Sequence, residues 1–161
     1  MSINIEDSKY AKKAKELFRE GYNCSQSVFL AFSDKYDMDQ TVALRLSSSF
    51  GGGMGRLREV CGAVSGMFMV AGILYGYDGA KDYEGKAEHY KRIQYLAQQF
   101  KKYNKSIVCR ELLGLDKKVD DPNPEKRTEE YYKKRPCEDL VLIAAAKWKN
   151  TLLIIRHKNF Q

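Results

Sequence analysis

The chain has 161 residues, enough to bury a core without disulfide staples, and residues 1–161 read as a single helical domain. Lysine and arginine number 28 against 21 acidic residues, a net charge of +7. Those charges are mixed along one stretch after another, as at Lys12, Lys13, Lys15, Glu16, Arg19 and Glu20, the pattern of a solvated helix face; with no recognition module or basic-aromatic strand, nucleic-acid binding is set aside.

Three prolines and apolar residues spaced by three and four predict an all-α bundle of about six or seven helices. The amino terminus lacks the charged start, apolar run and small-residue cleavage site of a secretory signal, so the expected compartment is the cytoplasm. A first helix over about Ser8 to Glu20 carries the stripe Tyr10, Ala14, Leu17 and Phe18, and Gly21 stops it. Asn23 caps a second helix that opens with Cys24 and repeats the stripe through Val28, Ala31 and Phe32. A third helix follows Asp39 and includes Val42, Ala43 and Leu46.

Gly51, Gly52, Gly53 and Gly55 then form either a tight connection or a turn able to cradle an anion with Arg56 and Arg58. It is no P-loop, because a Gly-Lys-Ser/Thr ending is absent. The fourth helix begins near Cys61. Val60 to Tyr77 holds no charge over 18 residues, the lower edge of a membrane span, but its four glycines, cysteine and serine favour a buried central helix. If this helix lay exposed in a symmetric dimer, its apolar face would be the interface of a homodimer. Gly62 and Gly66, one turn apart, let another backbone pack close beside the thiol.

A long amphipathic fifth helix carries Ile93, Leu96, Ala97 and Phe100 on its apolar side. His89 lies within it and reads as an ordinary surface or partly buried histidine, as does His157 near the carboxyl terminus. Ser106 can cap a short sixth helix with Cys109 in its first turn, ended by Gly114. Residues 116–135 read as a charged connection with a short helical piece around Glu125 to Tyr132, and Asp120 and Asp121 fall in solvated loop. Pro136 opens the last helix beside Cys137, followed by Leu140, Ile143, Ala144, Lys147 and Trp148.

Cys24, Cys61, Cys109 and Cys137 thus each stand at a helix start, where unpaired amides and the positive dipole end favour thiolate over thiol. The intervals of 37, 48 and 28 positions contain no CxxC pair, which counts against a zinc ribbon and excludes a thioredoxin-like motif. Any shared site must be assembled by the tertiary fold.

These residues resemble a known group. CGAVSG at Cys61 to Gly66 fits the CGAxxG element of the C_GCAxxG_C_C family of putative redox-active proteins, and the resemblance extends through GYNCSQSVFLAF, FGGGMGRLREVCGAVSG, CRELLG and the Pro136-Cys137 start. It implies a redox role carried by the four cysteines, without fixing a substrate. The leading reading is thiol-disulfide chemistry with an external redox partner and no cofactor. There Cys24, Cys61, Cys109 and Cys137 are the catalytic candidates, Cys137 is favoured as nucleophile because Lys133, Lys134 and Arg135 precede it, and Cys24 with Cys61 is the pair to test first. A second reading makes the same four cysteines ligands of an iron-sulfur cluster or, less favoured, a metal ion. A third leaves them as small buried hydrophobes.

Overall fold

The computed structural model of the protein describes residues 8–116 and 118–146. Local start and stop signals set most of its helices. α1 (Lys9–Arg19) begins at Ser8, whose side chain accepts a hydrogen bond from the Ala11 amide, and ends before Gly21, which takes a φ of 110°. α2 (Cys24–Ala31) is opened by a reciprocal box: Asn23 accepts from the Gln26 amide while the Gln26 side chain accepts from the Asn23 amide. A single 3₁₀ turn (Ser33–Lys35) leads to α3 (Gln40–Ser48), capped by Asp39. The glycine segment forms one short turn, α4 (Gly51–Met54), in which Gly52 and Gly53 are left-handed.

α5 (Gly62–Tyr75) and the long α6 (Tyr83–Asn104) follow, then α7 (Cys109–Leu112) and α8 (Glu129–Lys134). A last helix, α9, starts at residue 137 and continues through 146, where the described residues end. Its expected continuation through Lys147 and Trp148, like His157, lies outside them. The all-α expectation holds, with no strand among the described residues beyond one isolated antiparallel bridge between Val60 and Val108. The helices outnumber the expected six or seven because α4, a single turn of four residues, lies where the sequence offered only a glycine turn, and the short helical piece expected around Glu125 to Tyr132 is a helix of its own, α8.

The core forms where α2 crosses α5. Two glycines of α5 make that crossing close: a Cβ at Gly62 would meet the Phe50 carbonyl oxygen at 2.9 Å and the Cys24 Cβ at 3.0 Å, and one at Gly66 would meet the Ser25 carbonyl oxygen at 2.7 Å. The CGAxxG spacing is therefore a packing requirement that lays the start of α2 against the start of α5. α5 is enclosed from Gly62 to Ala71, with Phe68 and Met69 half-buried, while Ile73 in its last turn is 45 % exposed. α2 is enclosed at least as fully, with Ser25 and every residue from Ser27 to Ala31 buried. The stripe drawn for α2 from sequence was too narrow, since its neighbours α1, α3, α4 and α5 pack around it from several sides. In α3 only Ala43 and Ser47 are buried, and Val42 and Leu46 point outward. No helix among the described residues is long and apolar enough to cross a membrane.

Candidate functional site

All four cysteines line one cavity of about 210 Å³. Cys24 is the first residue of α2, Cys61 the residue that caps α5, Cys109 the first residue of α7 and Cys137 the first helical residue of α9. The helix starts expected from sequence are thus real, and they meet at one end of the bundle. Three devices bring them there. The Gly62 crossing sets Cys24 beside Cys61. The Val60–Val108 bridge joins Cys61 to Cys109: the Cys61 amide donates to the Ile107 carbonyl at 2.8 Å and the Cys109 amide to the Glu59 carbonyl at 2.6 Å. Gly53 lets α4 lie on α7, where any Cβ would stand 2.5 Å from the Cys109 Cβ.

The four sulfurs differ in chemistry. Cys61 is buried, and burial pushes its thiol up to about 12 although the amides of Ala63 and Val64 favour the thiolate. Desolvation beats the helix start here. Burial also raises Cys109, opposed by the Arg58 guanidinium, whose Nη1 lies 3.6 Å from the Cys109 sulfur. Between Cys24 and Cys137 the proton stays with Cys24, whose thiol is raised well above its usual range by its interaction with Cys137 and by burial. Cys137 is lowered to about 7: the Cys24 hydrogen bond acts first, burial opposes it, and Arg135, Arg127 and a hydrogen bond from the Tyr131 hydroxyl add to it. A thiol with that value is about half ionised at neutral pH.

Cys137 is thus the one thiol of the four that is lowered, and only part of the cause was visible in the sequence. Arg135 contributes, whereas Lys133 and Lys134 are exposed and add nothing resolved at the sulfur. Arg127 and Tyr131, on the connection and on α8, were missed. No local pattern marks them, because they come to the site only when 116–135 folds back over the start of α9. Cys24 lies beside Cys61 at the Gly62 crossing, the pair that the sequence put first, and also shares the cavity with Cys137.

The glycine turn does more than connect. Met54, Arg56 and Arg58, none of them glycine, all take left-handed φ angles of 65°, 65° and 58°. Such residues cost of order 1–3 kcal/mol each unless the surroundings hold them there. The holding partner is Asp120: its Oδ2 lies 2.7 Å from Arg58 Nη2 and 3.1 Å from Arg56 Nη2. Asp120 was expected to be solvated loop; it instead keeps the buried Arg58 guanidinium aimed at Cys109. Asp121 remains exposed, with Asn123 as its partner. Ser106, expected to cap α7, accepts from the Val108 amide at 3.0 Å and donates to Glu111 one turn on, while Val108 occupies the cap position. His89 is buried beside Arg92 on α6 and does not line the cavity, in keeping with its ordinary reading.

Among the described residues, no three His, Cys, Asp or Glu side chains are arranged to hold one metal ion. Around one cavity the arrangement offers one sulfur lowered towards the thiolate, Cys137, and three thiols raised above their usual range, Cys24, Cys61 and Cys109. In comparisons with known proteins, a family described as putative redox-active protein (C_GCAxxG_C_C) matches residues 22–151. No curated protein and no solved structure matches.

Proposed function

Because the chain belongs to the C_GCAxxG_C_C family of putative redox-active proteins, we propose that it is a thiol-disulfide oxidoreductase with Cys137 as attacking thiolate and Cys24 as resolving thiol. The observation that carries this reading is that Cys24 and Cys137 line one cavity together with Arg127, Tyr131 and Arg135, which favour the thiolate of Cys137. A redox role needs two sulfurs able to bond and one of them ionised near neutral pH.

The Cys137 thiolate attacks a substrate disulfide, forming a mixed disulfide and releasing one substrate thiolate, which takes up a proton. Cys24 loses its proton and attacks the Cys137 sulfur; the mixed disulfide breaks and the second substrate thiolate leaves. Two electrons pass to the substrate, and an external thiol reduces the Cys24–Cys137 disulfide in the next half-cycle. Cys61, whose thiol remains protonated up to about pH 12, and Cys109, beside Arg58, line the same cavity and take no part in this step. The single-domain organisation and a reducing, cytoplasmic setting belong to the same proposal.

The test is a thiol count and peptide map after one equivalent of disulfide oxidant, on protein purified without oxygen. The expected product is a Cys24–Cys137 disulfide that dithiothreitol reverses, with Cys24→Ser trapping the mixed disulfide on Cys137. Stoichiometric iron and sulfide in the anaerobic protein, or four thiols inert to oxidant, would overturn the reading.

A further inference from the structure

We propose that the cavity selects a small disulfide bearing a carboxylate, and that Arg127 is the group that receives that carboxylate; this rests on the dithiol reading above. The first ground is charge. Arg56, Arg58, Arg127 and Arg135 all line the cavity. Asp120 neutralises one charge of the Arg56–Arg58 pair, and Glu125 pairs with Arg135. Four guanidinium groups against two carboxylates leave +2, and the Cys137 thiolate reduces this to +1.

The second ground is the state of Arg127. It has no carboxylate partner among the described residues. Its guanidinium is clamped between two rings, 4.1 Å from the Phe18 centroid and 4.8 Å from that of Tyr131. Its Nη1 and Nη2 make only long bonds, 3.5 Å to the Phe18 carbonyl and 3.4 Å to the Tyr22 carbonyl. A planar cation fixed in place beside the nucleophile, with its Nε donating to no described residue, suits a carboxylate better than any neutral or cationic group.

The third ground is size. An apolar cavity of about 150 Å³ holds benzene, so about 210 Å³ has room for one arm of a small disulfide beside Cys137. In the reaction, the carboxylate on Arg127 holds one half of the substrate while the Cys137 thiolate attacks its sulfur. The disulfide bond breaks, the other half departs as a thiolate and is protonated, and Cys24 then releases the held half by forming the Cys24–Cys137 bond.

The experiment compares three disulfides that share two-carbon arms: 3,3′-dithiodipropionate, a dianion; hydroxyethyl disulfide, neutral; and cystamine, a dication. Rates of thiol loss in the reduced full chain at low salt are each divided by the rate of the same disulfide with 2-mercaptoethanol, which removes intrinsic reactivity. The expected normalised preference for the dianion over the dication is about tenfold, from opposite charges meeting one net positive charge across a few partly screened ångströms. Half-molar sodium chloride should shrink it towards unity. Arg127→Gln should abolish the preference while Arg127→Lys restores part of it; if Arg127→Gln does not fold, Arg127→Lys, which keeps the charge and loses the planar fork, should still lower the preference. A dication that reacts as fast as the dianion, or a preference unchanged in the Arg127 variant that folds, overturns this inference. Thiols untouched by all three compounds would instead overturn the dithiol reading itself.

Discussion

Adding one methyl group at two positions of α5 should have opposite effects on stability. In a helix interior alanine is favoured over glycine by about 1 kcal/mol, so propensity alone makes both Gly66→Ala and Gly72→Ala stabilising. At Gly72 a Cβ meets nothing within 4 Å, and the full gain of about 1 kcal/mol is expected. At Gly66 the new atom would lie 2.7 Å from the Ser25 carbonyl oxygen and 2.9 Å from the Val28 Cβ. Neither can rotate away, since one is backbone and the other the fixed root of a side chain. Overpacking of this kind costs about 1–3 kcal/mol, so the net change at Gly66 is a loss of up to about 2 kcal/mol. The difference between the two variants cancels the propensity term and isolates the cost of the α2–α5 crossing. Urea denaturation of the fully reduced proteins measures it from the midpoints at unchanged slope, and for a chain of this size it corresponds to about 2–4 °C in Tm per kcal/mol. A Gly66→Ala protein as stable as Gly72→Ala would show that the helices part without cost, and the account of CGAxxG as a contact motif would fail.

Two further outcomes follow from the site. Alkylation of Cys137 by iodoacetamide should rise with pH about a midpoint near 7, because the reactive thiolate is present above that value and lost below it; Cys24→Ala, which removes the hydrogen bond that acts first, should move the midpoint up towards the ordinary thiol range, and a wild-type midpoint at or above about 8.5 would refute the assignment. Asp120→Asn should loosen the Arg58 guanidinium that it aims at Cys109, so mass-resolved labelling at neutral pH should show Cys109 becoming less reactive than in the wild type, and unchanged labelling would mean that Asp120 does not hold Arg58 in place.

What the sequence disclosed was what neighbours along the chain decide. Asn23 with Gln26 announces the start of α2, Gly21 and Gly114 announce stops, and the uncharged run after Cys61 announces burial. Four thiols at four helix starts were legible for the same reason. The ranking of those thiols was not. A helix start raises thiolate character at each, yet burial reverses it at Cys61, and the sum turns favourable only at Cys137, where Cys24, Arg127 and Tyr131 arrive from sequence distances of 113, 10 and 6 residues. Asp120 was misread for a related reason: its partners Arg58 and Arg56 lie more than sixty residues earlier, and a charged loop carries no periodicity that reveals what it covers.

The position of Cys137 also has a consequence for how the molecule comes into being. Cys24 and Cys61 leave the ribosome early, and the crossing of α2 with α5 can form while the rest of the chain is still being made. The sulfur that gives the site its reactive charge follows Cys24 by 113 residues, which at ordinary synthesis rates of about 5–20 residues per second is a delay of roughly 6–23 s. Until then the early thiols have no thiolate partner to capture or donate electrons. On the proposed reading reactivity waits for Cys137, so a product terminated before it keeps three of the four cysteines and lacks the proposed nucleophile.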